Sequence, residues 1–182
     1  NRRQTSSQGS AAVQAVRYDS NGVFVQRGGT NVFEISYDPE TQDYGAKDMT
    51  VLNPDLCPAS TSIVRMAVQR QPDLRIHCVL SNGTVRVLVR DSAEKVMAWI
   101  PIETTGYVDD VCVLPGTSTA KEDNVYYTVR RTINAATVRY IEKWAQEDEC
   151  QGTYSISPTL NKQADSFVVA AGGSATLSGL TH

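Results

Sequence analysis

The feature of this sequence that most constrains its fold is a hairpin pattern that occurs three times. Each copy has an apolar stretch, a small polar turn that leads into a threonine, and a second apolar stretch. The threonines, Thr30, Thr84 and Thr137, lie 54 and 53 residues apart. A further strand-like stretch precedes each hairpin, and another follows the first two, so the pattern predicts a unit of about four antiparallel strands in roughly 53 residues. The three hairpin sequences are VFVQRGGTNVFEISYD, IHCVLSNGTVRVLVRD and VYYTVRRTINAATVRYIE.

Apolar and polar residues alternate with period two in these stretches, which is typical of β-strands. In TVRVLVRD (84–91), the three valines share one face, and the two arginines share the other face with Leu88. Only VRYIEKWAQEDEC (138–150) resembles a helical pattern, and its β-branched and aromatic start favours a strand for the first half. We therefore predict an all-β protein. Turn signals separate the strands at Asn21-Gly22, Gly28-Gly29, Asn82-Gly83 and Pro115-Gly116.

Regularly spaced four-stranded units are the sequence signature of β-propeller blades. We predict a propeller-like module within residues 1–150, with four-stranded antiparallel repeats at about 12–52, 63–102 and 107–144. A large β-sandwich or barrel whose hairpins only look alike is the alternative. Three blades would leave open sheet edges, so we expect either further sequence that completes a ring or blades that pack in another way.

The last part of the chain differs from the repeats. Residues 151–182 are rich in serine, alanine, glycine and threonine, with short strand-like runs. They are predicted to be a linker and the start of a further small β-unit. Because the sequence begins at Asn1 and stops within a strand-like run near His182, we expect it to be a piece of a longer chain.

Composition excludes several classes of protein. With 41% hydrophobic and 20% charged residues, the chain is predicted to be globular. No apolar run approaches the roughly 20 residues of a transmembrane helix, so we predict no membrane-spanning segment. The net charge is −3, from 17 basic and 20 acidic residues without a basic stripe, which disfavours a clamp for nucleic-acid phosphates. The four cysteines lack zinc-site spacing and are interpreted as reduced, mostly buried thiols: Cys57, Cys78, Cys112 and Cys150.

The adjacent pair Arg130-Arg131 invites a nucleic-acid interpretation. Neighbouring residues on a strand point to opposite faces, so these two side chains are not expected to form one joint clamp. We interpret them as residues for solubility or cross-strand pairing, with Glu142 or Asp123 as partners. A DNA-facing role for one of them stays open.

Catalytic patterns are not recognisable. The two histidines, His77 and His182, lie in no nucleophile motif. His77 is interpreted as a half-buried or surface strand residue that faces away from Cys78. Asp109 and Asp110 are likewise expected on opposite faces of a strand.

Two further motifs have simpler interpretations. The loop DPETQD (38–43) lacks the spacing of a calcium loop. Asn82-Gly83-Thr84 matches a glycosylation acceptor, but a hairpin turn explains it better. We predict no catalytic, no cofactor-binding and no metal-binding residue.

Four segments, SSQGSAAVQAV, VFVQRGG, VRRTINAATVRYIEKW and SGLTH, resemble a family of bacteriophage tail proteins. These are the tail-tubular or nozzle proteins of short-tailed phages and their prophage relatives. The segments occur in the family's order, over roughly residues 5–145 and again near 175–182. In that family, a stretch like YTVRRTINAATVRYIE closes a propeller-like module, and one like SGLTH opens a small following β-domain.

The resemblance implies a structural protein of the virion and no enzyme. Such proteins are ring-forming subunits, often hexameric, that surround the channel for ejected DNA in the distal tail. The expected partners are other copies of the full-length protein, neighbouring tail proteins, DNA in non-specific passage, and a host receptor as a further candidate. The expected location is the tail of the virion, assembled in the cytoplasm of the bacterial host. The ring-building parts of the family are not visible here, so ring formation by this segment alone is not implied.

Two other function classes remain open at this point. A propeller that binds a host surface or a protein would need clustered aromatics on a loop face, for which the candidates are Tyr37, Tyr44, Tyr107 and Trp99. A depolymerase would need two carboxylates about 5 to 10 Å apart in a cleft. The candidates for those carboxylates are Asp109, Asp110, Glu103 and Asp43.

Overall fold

Every regular element of the described part of the chain is a β-strand. The structure is a computed structural model, and it describes residues 6–91, 93–117 and 121–146. No helix occurs in these residues. The strands belong to one compact unit, Asn1–Trp144; a second unit, Ala145–His182, lies almost entirely outside the described residues, as does the predicted small β-unit at 151–182. The all-β prediction is confirmed for the described residues. The strands are β1 Val16–Tyr18, β2 Asn21–Val25, β3 Val32–Asp38, β4 Asp43–Asp48, β5 Ile63–Gln69, β6 Leu74–Leu80, β7 Val85–Asp91, β8 Val96–Ile102, β9 Tyr107–Leu114, β10 Asn124–Ile133 and β11 Ala136–Lys143.

The strands form three separate antiparallel sheets, each a simple meander. Sheet 1 has the order β1-β2-β3-β4, sheet 2 has β5-β6-β7-β8, and sheet 3 has β9-β10-β11. Sheet 3 therefore ends at β11, and no described strand pairs with the far edge of β11. The described strands do not close into a barrel or a ring. Within the same residues, no helix has the length and apolar character needed to cross a membrane.

Sheet 2 lies between the other two sheets and is covered on both faces. On β6, Ile76, Cys78 and Leu80 belong to an apolar cluster shared with sheet 1. The intervening Val79, together with Val85 of β7, belongs to a second cluster shared with sheet 3. A strand that is buried on both faces has few polar residues and does not alternate between apolar and polar positions. This explains the mostly apolar sequence IHCVL in β6.

The same backbone joint connects each sheet to the next. The carbonyl of Gly29, in the β2–β3 turn, accepts a hydrogen bond from the backbone N–H of Ile63 at 2.8 Å. The carbonyl of Gly83, in the β6–β7 turn, accepts one from Val108 at 3.0 Å. Both glycines have left-handed backbones, with φ of 81° and 80°. Sheets 2 and 3 therefore each begin beside the glycine turn of the sheet before them.

The third hairpin does not follow this geometry, and the expected equivalence of the three turn threonines is wrong for Thr137. Thr30 and Thr84 directly follow the turn glycines, whereas Thr137 lies within β11, opposite Thr132 of β10. The third turn consists of Asn134 and Ala135, both with positive φ (50° and 63°). This backbone is that of a tight two-residue hairpin, which leaves no place for the longer glycine turn.

Asp123 joins the loops of sheets 2 and 3. Its carboxylate accepts backbone hydrogen bonds from Arg70 at 2.7 Å, Gln71 at 3.2 Å and Gly116 at 2.9 Å. Burial by itself would raise the pKa of Asp123, but these three donors outweigh it and lower the pKa below its usual value. The residue is a structural link between two loops.

Candidate interaction surfaces

Arg130 and Arg131 are paired with carboxylates on opposite faces of β10. Arg130 binds Asp109 at 2.8 Å and lies over the ring of Tyr107, 4.0 Å from its centroid. Arg131 donates to both carboxylate oxygens of Glu142, at 2.5 and 2.7 Å. The opposite facing and the Glu142 partner are confirmed, whereas Asp123 as a partner is wrong.

The pairing at Arg131 also shifts both ionisation equilibria. The hydrogen bonds with Glu142 raise the pKa of Arg131 and lower the pKa of Glu142. Thr104 and Thr105 add hydroxyl acceptors to the same guanidinium, each at 3.1 Å. A guanidinium held in this way is a cross-strand structural element.

The outer end of sheet 3 exposes apolar side chains. On β11, Ile141 is 78% exposed, and Val138 and Tyr140 are also exposed. β11 is the edge strand of this sheet, with β10 as its neighbour. Long apolar edge strands are surfaces for strand pairing with another chain.

The four aromatic candidates divide into two groups. Tyr37 and Tyr44 face each other across β3 and β4, with ring centroids 5.4 Å apart and each side chain 52% exposed. Trp99 donates from Nε1 to the carbonyl of Met49 and packs against the apolar cluster between sheets 1 and 2. Tyr107 lies against the Gly83 turn. Tyr37 and Tyr44 therefore lie on a surface, whereas Trp99 and Tyr107 pack between sheets.

Two of the four carboxylate candidates, Asp109 and Asp110, are neighbours on β9, and the other two lie on other elements. Asp109 and Asp110 stand between the buried Val108 and Val111, at an irregularity of the β9–β10 register, so the expected alternation of the two aspartates between faces is broken there. Asp109 is bound by Arg130 and by Arg139, the latter at 3.3 Å. Asp110 lies 3.6 Å from Arg65 of sheet 2. Asp43 is on β4 in sheet 1, and Glu103 follows β8. Among the described residues, no group of three or more histidine, cysteine, aspartate or glutamate side chains is arranged to hold a metal ion.

His77 is fully buried, which contradicts the expected half-buried or surface position. Its Nδ1 lies 2.6 Å from the hydroxyl oxygen of Tyr127, and its Nε2 lies 3.2 Å from Oε1 of Gln69. An amide oxygen only accepts, so Nε2 carries the proton and Nδ1 accepts from Tyr127. The ring also meets Trp144 edge to face. The reason for the wrong expectation is that both faces of sheet 2 are covered; the opposite facing of Cys78 is confirmed.

The protein is expected to lose stability in mild acid because of His77. Burial, with a smaller contribution from the positive charge of Arg75, lowers the pKa of His77 to about 4. The unfolded chain binds the proton near pH 6.5, so its proton uptake favours unfolding below that pH. We expect the free energy of unfolding to have its full value above about pH 6.5. Below that pH, it should fall by up to about 3 kcal/mol as the pH approaches about 4.

Urea unfolding at several pH values checks this expectation, with the variant His77→Gln as the control. The variant lacks the titrating group, so its stability should depend less on pH in this window, even if it is lower at neutral pH. An equal pH dependence in both proteins would show that His77 is not responsible.

The three described cysteines differ in environment. Cys78 is buried, Cys57 is half-buried and Cys112 is exposed, and none of them forms a disulfide. Burial raises the pKa of the Cys78 thiol. The expectation of mostly buried thiols is correct for Cys78 and wrong for Cys112; Cys150 lies outside the described residues.

A buried charged centre between sheets 1 and 2 was not predicted from the sequence. Glu34 is almost completely buried and accepts hydrogen bonds from the Tyr18 hydroxyl, from Asn21 at 2.7 Å and from Arg90 at 2.6 Å. The Arg90 guanidinium also lies over the Tyr18 ring, 5.7 Å from its centroid. Burial and the bond to Glu34 raise the pKa of Tyr18 to about 12. Glu34 alternates with apolar residues in β3, so its sequence position alone suggests an ordinary solvent-facing residue.

Comparison of the chain with protein-family models and with curated proteins gave no match.

Proposed function

We propose that this chain is a structural part of a bacteriophage tail, in the nozzle or tube region, and that its three sheets are blades of a partial β-propeller. The observation that carries the proposal is the place of the resembling motifs in the fold. VFVQRGG (23–29) forms the last three residues of β2 and most of the turn that follows in sheet 1, and VRRTINAATVRYIEKW (129–144) forms most of the β10–β11 hairpin in sheet 3. The motifs thus bracket a stack of repeated sheets.

The arrangement of the sheets supports the propeller part of the proposal. Consecutive sheets pack face to face, and each is a meander that starts at one edge. The first strands of neighbouring sheets also contact each other, β1 with β5 and β5 with β9. Blades arranged around an axis bring their inner strands together in this way.

The electrostatics are compatible with a conduit for DNA. A channel that DNA slides through should not hold it, because each neutralised phosphate adds affinity through counterion release. The chain is mildly acidic, with a net charge of −3, and Arg130 and Arg131 are paired with carboxylates. The proposed partners are other copies of the full-length protein, neighbouring tail proteins and DNA in passage.

Two measurements test the tail proposal. Antibodies raised against this chain should decorate the tail of purified virions by immunogold electron microscopy, while an antibody against the capsid labels the head. In solution, the full-length protein should form rings, and the 182-residue chain should have a lower oligomeric state. Absence of the chain from purified virions, or hydrolysis of a host glycan by the chain, would contradict the proposal.

A host-surface binding module is the second candidate, favoured by the exposed Tyr37–Tyr44 pair. Aromatic pairs of this kind are common in binding surfaces. Binding of the labelled chain to host cells that is lost in Tyr37→Ala and Tyr44→Ala would favour this candidate.

A further inference from the structure

A pocket of about 310 Å³ opens between sheets 1 and 2, and three of its six lining residues are basic. Lys47 comes from β4, the last strand of sheet 1. The other residues belong to the β7–β8 hairpin of sheet 2. We call this site the basic pocket; its lining residues are Lys47, Arg90, Asp91, Lys95, Val96 and Met97.

Two carboxylates near the basic pocket, those of Asp91 and Glu34, accept hydrogen bonds from other donors. The Asp91 carboxylate accepts hydrogen bonds from the backbone N–H groups of Ala93 at 2.8 Å and Glu94 at 3.0 Å. These bonds stabilise the β7–β8 turn. Glu34 lies directly across from Lys47 in the β3–β4 ladder. Its carboxylate is bound instead by Tyr18, Asn21 and Arg90.

The lining of the basic pocket carries three positive charges and one negative charge, that of Asp91. With Glu34 counted against Arg90, one net positive charge is left. Neither Lys47 nor Lys95 forms an ion pair with any residue in the described part of the chain. Both side chains are exposed, so they can move to meet a ligand. A local excess of cations in a protein with a net charge of −3 is a site where an anion gains attraction.

We propose that the basic pocket binds a monosaccharide that carries a phosphate or a carboxylate. Lysine ammonium groups act as mobile point charges for such anions. Val96 and Met97 supply apolar walls, which suit the carbon face of a sugar ring. The pocket volume is in the range of small-molecule sites, so a bare inorganic anion would fill only a part of it. This inference goes beyond the tail function and does not depend on it.

Nuclear magnetic resonance titration of the ¹⁵N-labelled 182-residue chain tests the proposal with three probes. Glucose 6-phosphate represents the phosphorylated class, glucuronate the carboxylated class, and glucose is the neutral control. At least one of the two anionic sugars should cause saturable shifts of the Lys47, Lys95 and Met97 amides, while glucose should cause none. The relative affinities of the two anionic sugars then distinguish a phosphate from a carboxylate ligand.

Variants identify the charges that bind. Because Lys47 and Lys95 are exposed, Lys47→Gln and Lys95→Gln should fold normally; each should weaken binding about fivefold, and the double variant at least about tenfold. Lys121→Gln, at an exposed lysine outside the pocket, is the matched control and should leave the affinity unchanged.

Four outcomes would overturn the proposal. They are no saturable shift up to about 50 mM of either anionic sugar, equal shifts with glucose, an equal loss of affinity in Lys121→Gln, and tighter binding of a single-stranded oligonucleotide at the same amides.

Discussion

Replacement of Arg90 by methionine is expected to destabilise the protein by about 3 to 5 kcal/mol, because it leaves the charge of Glu34 buried without its counter-ion. Methionine keeps most of the aliphatic volume, so the effect reports mainly on the lost ion pair and hydrogen bond. Tyr18 and Asn21 still donate to Glu34, which places the expected value toward the lower end of this range. Chemical unfolding at neutral pH measures the change.

Two comparisons separate the buried pair from an ordinary ion pair. Arg65→Met removes a pair with Asp110 whose side chains are 58% and 57% exposed, and we expect it to cost less than about 1 kcal/mol. The double variant Glu34→Gln with Arg90→Met removes both charges and should recover a large part of the lost stability. If Arg90→Met lowers the free energy of unfolding no more than Arg65→Met does, the charge of Glu34 is not buried in the way that the structure describes.

Replacement of Gly83 by alanine is expected to destabilise the protein by about 2 to 5 kcal/mol, from backbone strain and from a collision between sheets 2 and 3. Gly83 has a φ of 80°, and a Cβ atom there would lie 2.5 Å from the ring of Tyr107. The ring has little freedom to move, because its hydroxyl donates to the Ser81 carbonyl and Arg130 lies over its face. The unfolding free energy measures the loss.

Gly22→Ala is the matched control, since a Cβ at Gly22 has no atom within 4 Å. It should change stability by less than about 1 kcal/mol. In a Tyr107→Ala background, Gly83→Ala no longer meets the ring, so only the backbone strain of about 1 to 2 kcal/mol should remain. An unchanged effect in that background would show that the contact with Tyr107 is unimportant.

The strands could be predicted because their signal is local. Alternation with period two and the glycine and asparagine turns are properties of neighbouring residues, and they indicated three antiparallel hairpins that the structure contains. The facing of Arg130 and Arg131 followed from the same alternation, and the Glu142 partner lies directly in the β10–β11 hairpin. Local pairs of this kind are accessible without a tertiary structure.

The charged centre and the basic pocket could not be predicted in the same way. Glu34 and Arg90 are 56 residues apart and meet only because sheet 1 packs on sheet 2. Lys47 and Lys95 line one pocket for the same reason. For His77 the sequence led to the opposite mistake. The alternation predicted that its side chain would be on the exposed face of β6, but sheet 3 covers that face.

The amino-acid sequence alone determined where the strands and hairpins of this protein lie, since backbone pairing in a meander involves residues that are close along the chain. Only the tertiary structure decided which face of each strand is buried. The stretches TVRVL (84–88) and TVRYI (137–141) are nearly the same, yet Leu88 is fully buried and Ile141 is 78% exposed. Val85 lies opposite Val79 in the second hairpin, whereas Val138 lies opposite Arg131 in the third. The two hairpins differ in turn length, and such a change of register moves a side chain to the other face of its sheet. Leu88 is buried on either face because sheet 2 is covered on both, whereas Ile141, opposite Thr128, lies on the face of sheet 3 that no described strand covers.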